Sequence, residues 1–201
     1  AMARLTGGDP TRVATLLDSL GQWEIAVGQA RRAAPPSHLL APIEAWFEQQ
    51  HWTPMAFQRQ AWEAYLEGES GLIQVPTGSG KTYAAVMGPI AQMLAEPNPA
   101  GLRLLVITPL RALSRDLALA IEQPISAMGW PLRVGIRNGD TSSTERARQQ
   151  RNPPQILITT PESLSVLLAN AKAPELFAQL QAVVLDEWHE LMGSKRGVQS
   201  E

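Results

Sequence analysis

The chain has 201 residues, 44% of them apolar and 18% charged, with a formal net charge of −2. That length holds one domain, or one domain with a short attachment, and buries a real core without covalent staples. The absence of cysteine excludes a disulfide scaffold, a zinc–thiolate site and cysteine catalysis, and a near-neutral charge argues against holding nucleic acid by bulk electrostatics. No apolar run approaches the roughly 18 residues of a membrane span, and the N-terminus lacks the pattern of a secretory signal. The expectation is a cytoplasmic protein with no membrane partner.

Ala1-Met2 reads as an addition ahead of the natural start, a processed terminus being the alternative. The first third reads as helical. Asp9-Pro10 pairs a capping carboxylate with proline at the first helical position, and Val13, Leu16, Leu17 and Leu20 follow at helical spacing. The pattern resumes from Trp23 to Arg32 and stops at the linker Ala33-Ala34-Pro35-Pro36. Further helices are predicted from Ser37 through Phe47 and over residues 55–66. From residue 71 short β-rich runs alternate with helical stretches. Strands are predicted over 71–75, 104–108, 132–136, 156–159 and 182–185, and helices over 81–94, 111–128, 144–150 and 162–168. Apolar strands separated by helices are the pattern of a parallel sheet covered on both faces. The expected fold is therefore a doubly wound α/β domain preceded by N-terminal helices.

Val75-Pro76-Thr77-Gly78-Ser79-Gly80-Lys81-Thr82 follows a predicted strand and opens a predicted helix, the context in which a glycine-rich loop cradles phosphates. Gly78 and Gly80 let backbone N–H groups converge on an anion, and the helix N-terminus aims its partial positive charge at the same place. Lys81 is placed to reach the β- and γ-phosphates of ATP, and Thr82 to ligate Mg²⁺. Val75 stands where this pattern usually has glycine or alanine. The alternative is an incidental glycine turn before a helix.

Ala182-Val183-Val184-Leu185-Asp186-Glu187-Trp188-His189-Glu190 is an apolar strand ending in two carboxylates. Ligands of an open α/β sheet sit beyond the carboxyl ends of its strands, which brings Asp186 beside the phosphate loop. Phosphoryl transfer uses one carboxylate to fix the cation, here Asp186, and another to orient and deprotonate water, here Glu187. The alternative is a solvated turn after a strand.

The ordered set of motifs resembles superfamily 2 helicases. Pro76–Thr82 resembles motif I and Asp186–Glu190 motif II, with Pro109-Leu110-Arg111-Ala112-Leu113 similar to motif Ia, Gly139-Asp140-Thr141 to motif Ib and Thr159-Thr160-Pro161-Glu162-Ser163-Leu164 to the motif after it. Pro54-Met55-Ala56-Phe57-Gln58 resembles the glutamine motif. The Asp-Glu-Trp-His-Glu-Leu variant followed by Lys195-Arg196-Gly197-Val198-Gln199 looks like the ligase-associated DEXH-box helicases, relatives of the large helicase-related (Lhr-like) proteins. The resemblance implies a RecA-like P-loop NTPase lobe over residues 37–201 behind a helical extension and linker over 1–36. It implies an ATP-driven motor on single-stranded DNA, with RNA possible, working in repair. By similarity, Gln58 bonds adenine, with Trp52 or Phe57 near the base or packed in the core. Pro109, Arg111, Gly139, Asp140, Thr160 and Pro161 belong to the strand-holding motifs, and His189 couples ATP state to strand grip. The family pattern continues with a motif III and a second helicase lobe that this sequence does not contain, so the lobe is expected to be incomplete at its C-terminal side and nearly inactive alone. A DNA ligase or nuclease is the expected partner. A nucleotide-sensing scaffold, an RNA helicase or a duplex translocase built on the same engine remain alternatives. The arginines at 133, 137, 146, 148 and 151 read equally as a nucleic-acid patch or a solvated face.

Overall fold

The computed structural model describes residues 2–4, 37–76 and 78–187. The helices predicted before residue 33, Thr77, His189 and the segment 195–199 lie outside the described residues.

Chain order is β1 (Met2–Arg4), a 3₁₀ turn (Ser37–Leu40), α1 (Ala41–Gln49), α2 (Ala56–Leu66), α3 (Lys81–Leu94), β2 (Leu104–Ile107), α4 (Arg111–Met128), β3 (Val134–Arg137), α5 (Ser143–Arg151), β4 (Ile156–Thr159), α6 (Pro161–Leu168), α7 (Ala173–Phe177) and β5 (Ala182–Leu185). The sheet order is β1-β5-β2-β4-β3. The strands β5, β2, β4 and β3 run parallel, with Leu104 opposite both Ile156 and Ala182. β1 adds to the outer edge of β5 antiparallel, Met2 opposite Val184.

The sheet separates two apolar layers, as alternation along a strand requires. Leu104, Val106, Ile156, Ile158, Ala182 and Val184 face a core completed by α1 to α4. Leu105, Ile107 and Leu157 face a smaller core with Leu164, Leu167 and Phe177 of α6 and α7. This is the doubly wound α/β arrangement read from the sequence.

Two aromatic-rich helices fix the first layer onto α3. Trp46, Phe47, Trp62 and Tyr83 pack edge to face, with Trp46 and Tyr83 centroids 5.0 Å apart, the geometry that ring quadrupoles favour. The Trp62 Nε1–H donates to the Tyr83 carbonyl at 2.9 Å. Gly88 of α3 lets α2 approach closely: a Cβ there would meet Tyr65 and Trp62 atoms at 3.1 to 3.3 Å.

Three expectations need correction. The strand predicted over 71–75 does not form; Gly71 makes a single β-bridge and residues 72–75 have no ladder. A strand exists only by pairing, and the edge of β5 that faces outward is taken by Met2–Arg4. That pairing is the second correction, because the first residues were not expected to form a strand. The third is α7, five residues that the sequence pattern left unassigned.

Candidate nucleotide and strand site

The phosphate loop is shaped by two left-handed glycines, Gly78 (φ 82°) and Gly80 (φ 85°), the latter preceding the first residue of α3. Glycine takes this conformation without steric cost. A Cβ on Gly80 would also lie 2.6 Å from the Gln58 Nε2. Ser79 closes the turn, its N–H and hydroxyl both donating to the Pro76 carbonyl, at 3.3 and 2.6 Å.

β5 delivers the carboxylates. The Asp186 N–H donates to the Ile107 carbonyl at 2.8 Å, extending the ladder one step so that Asp186 leaves the sheet at its carboxyl end. Glu187 then takes a left-handed backbone (φ 48°), uncommon for a side-chain-bearing residue. Lys81 Nζ reaches Glu187 Oε1 at 3.2 Å, both side chains about a quarter exposed. A cleft of about 480 Å³ opens here, lined by Pro76, Lys81, Thr82, Asp186 and Glu187 at its polar end and by Leu72, Ile73, Val75, Val106, Leu117 and Val184 along its apolar wall. Burial pushes the Asp186 carboxyl up; the Glu187 charge adds to this, and Lys81 and the Glu187 N–H oppose it.

Thr82 and Asp186 offer a hydroxyl and a carboxylate to one cleft. Hard oxygen donors in that small number suit Mg²⁺, which keeps several waters and takes its other ligands from phosphates. Among the described residues no cluster of three or more His, Cys, Asp or Glu side chains forms a dedicated metal cage. The donor set therefore fits a nucleotide-borne magnesium ion.

Gln58 is buried and ties two segments together. Its Oε1 accepts the Met55 N–H at 2.9 Å, and its Nε2 donates to the Gly80 carbonyl at 3.2 Å. One amide N–H and spare acceptor capacity remain for a base. Trp52 is half exposed against Trp46, Phe47 and Tyr83, and Phe57 lines a separate groove with residues 71–75.

The residues read from the motif resemblance as strand-holding gather at the carboxyl ends of β2, β3 and β4. Arg111 begins α4, and its Nη1 donates to Asp140 Oδ1 at 3.2 Å across the loop after β3. Gly139 lies directly under the Arg111 guanidinium. Thr160 and Pro161 are buried; the Thr160 hydroxyl bonds the Ser163 hydroxyl at 3.3 Å and makes no cap to the α6 backbone. Pro109 sits between β2 and α4 and is also buried.

The arginines of the basic stretch bond to neighbouring groups of the chain, several of them at the surface. Arg133 bonds Asn152 and Pro153, Arg137 the Arg146 carbonyl, and Arg148 pairs with Glu145. Arg146 braces the loop after β3 through three carbonyls. That role escaped sequence reasoning, because a guanidinium aimed at backbone carbonyls leaves no residue pattern.

Residues 55–201 match the DEAD/DEAH box helicase family. The Lhr helicase/uracil glycosylase of Escherichia coli (strain K12) is 36% identical over 185 residues, covering 81% of this chain and 12% of that protein. The ATP-dependent helicase Lhr-Core protein 2 of Thermococcus barophilus is 37% identical over 173 residues, covering 79% of this chain and 20% of that one. Among solved structures, the Mycobacterium smegmatis helicase Lhr bound to ssDNA and AMP-PNP superposes with a TM-score of 0.72 at 35% identity, covering 84% of this chain and 22% of the other. The helicase MrfA bound to DNA and AMPPNP superposes with a TM-score of 0.68 at 25% identity, covering 89% and 26%. The chain thus spans between about an eighth and a fifth of the length of these curated relatives.

Proposed function

The chain belongs to the DEAD/DEAH box helicases, with a motor domain homologous to that of the Lhr helicases, and from this premise we propose that it is the ATP-binding lobe of a helicase that acts on single-stranded DNA in repair. The observation that carries the reading is the convergence of Lys81, Thr82, Asp186 and Glu187 on one cleft beside the phosphate loop. Single-stranded DNA is favoured by the ssDNA held by the Mycobacterium smegmatis relative. Repair is favoured by the uracil glycosylase in the name of the Escherichia coli relative, an activity directed at damaged bases.

In this reading the loop N–H groups and Lys81 hold the β- and γ-phosphates. Lys81 turns from Glu187 to the phosphates, and the Glu187 carboxylate accepts a proton from the attacking water as that water displaces ADP from the γ-phosphorus. Thr82 and Asp186 would hold Mg²⁺, which would supply neutralisation of the phosphate charge. Gln58 spends its remaining amide valence on adenine. Arg111 contacts strand phosphates, and Pro109, Gly139, Asp140, Thr160 and Pro161 shape the surface where it does so. A second RecA-like lobe completes the motor.

In the full-length protein Lys81→Ala abolishes turnover. Glu187→Gln keeps nucleotide affinity while hydrolysis falls by about 10²–10⁴-fold, the usual weight of a general base. A nucleotide titration beside a phosphate-release assay separates the two effects, and normal hydrolysis by Glu187→Gln removes the base assignment. Stimulation of hydrolysis by oligothymidylate, but not by duplex DNA or RNA, is the expected strand preference.

A further inference from the structure

The loop after β3 lies beneath the Arg111 guanidinium. Asn138 Oδ1 accepts the Asp140 N–H at 3.0 Å, while Thr141 Oγ1 accepts the Asn138 N–H at 2.9 Å and donates to the Ile136 carbonyl at 3.2 Å. Arg146 reaches back from α5, Nε to the Thr141 carbonyl at 2.8 Å and Nη2 to the Asn138 and Gly139 carbonyls at 3.2 and 3.3 Å. The loop is therefore pinned from its own side chains and from the following helix.

Arg111 lies across this pinned loop. A Cβ on Gly139 would fall 2.5 Å from the Arg111 Cζ and Nη2 and 2.9 Å from Nη1. Gly139 is not among the residues with a positive φ, so a side chain there would meet the guanidinium rather than backbone strain, and the exposed arginine would have to swing aside to admit it. The Asp140 carboxylate accepts from Arg111 Nη1 at 3.2 Å, with both side chains about 60% exposed. A carboxylate and a phosphate offer a guanidinium the same chemistry, two oxygens of negative charge in a fork-matching geometry.

We propose that Asp140 is a resident counter-anion for Arg111, occupying the guanidinium until a strand phosphate displaces it. The proposal rests on Arg111 being a strand-binding residue. Asp140 then lowers strand affinity and supplies a competitor that recaptures Arg111 on release, which suits a grip that must be made and broken repeatedly. The loop beneath it keeps its shape during the exchange, because the Arg146 brace does not depend on the carboxylate.

The test is anisotropy of a fluorescein-labelled oligothymidylate on the full-length protein across a salt series. Asp140→Asn is expected to bind about two- to fivefold more tightly at low salt, the scale of an exposed ion pair. Its salt dependence should steepen by up to about 0.7 in log–log slope, the value of one more phosphate neutralised on a single strand. Arg111→Ala should weaken binding, and Asp140→Asn should add nothing to it. Asp140→Ser should match Asp140→Asn, with thermal melting confirming that each variant folds. Equal or weaker binding by Asp140→Asn and Asp140→Ser overturns the proposal and makes Asp140 a strand contact or a brace. If Arg111→Ala binds as the wild type does, the strand-binding reading of this loop fails together with the proposal.

Discussion

Lys81 and Glu187 pair at 3.2 Å in a cleft that also holds the Asp186 carboxylate. Burial raises the Asp186 pKa, so the folded state holds its proton more firmly than the unfolded chain does. The sign follows from linkage: stability is lost as pH rises from the unfolded carboxylate range through the raised folded value, and the ionised form carries the penalty above it. Asp186→Asn is therefore expected to raise the melting temperature of the nucleotide-free protein at neutral pH. The gain should fade as pH falls into the carboxylate range, while magnesium-dependent nucleotide binding is lost. Melting curves over a pH series check the first effect, and a nucleotide titration with and without Mg²⁺ checks the second. At this scale the sequence made the phosphate loop and the two acids legible, because turn chemistry and charge are properties of adjacent residues. It did not show that Gln58 clips Gly80, or that Arg146 braces Asn138, Gly139 and Thr141. Those bonds join residues far apart in sequence, or a side chain to backbone, and neither kind leaves a residue pattern.

Among the elements, the joint of α1, α2 and α3 carries the most dependence on single residues. Trp62 is fully buried, meets Phe47 edge to face and donates to the Tyr83 carbonyl. Trp62→Phe keeps most of the packing and loses the hydrogen bond, at about 0.5–1.5 kcal/mol. Trp62→Ala opens a cavity and costs about 3–5 kcal/mol. Urea unfolding of both variants measures the difference, and a small loss for Trp62→Ala would mean that the joint collapses to fill the space. Because α3 begins at the phosphate loop, the larger variant should also weaken nucleotide binding. The helices α3 and α4 were readable even though each contains a proline, Pro89 and Pro124. An interior proline costs a helix about 3 kcal/mol, and the apolar faces of these helices, buried in the main core, outweigh it. The short α7 was not readable, since five residues carry too little periodicity to distinguish a helix from a turn.

The molecule as a whole puts its phosphate loop, acidic strand end and Arg111 loop on one side because parallel strands end there together. The segment 72–75 leads into that side without a ladder, with Leu72 65% exposed. Its amides are expected to exchange with solvent about 10³-fold faster, or more, than those of β2 and β4, which are paired on both sides and buried. Hydrogen exchange followed by mass spectrometry or NMR gives the comparison. Slow exchange at 72–75 would show that the segment pairs as a strand in solution.

By itself, the sequence determined the alternation of strands and helices, the phosphate loop, the acid pair and the family resemblance, since each is written in neighbouring residues or in fixed spacing. Only the tertiary structure decided which strands are neighbours, that 72–75 form no ladder while Met2–Arg4 takes the edge of β5, and that Asp140 holds Arg111 over Gly139. Strand pairing and side-chain approach depend on which distant segments reach the same place first and fit it best. A local pattern sets what a segment is able to form; the partner available in space sets what it does form.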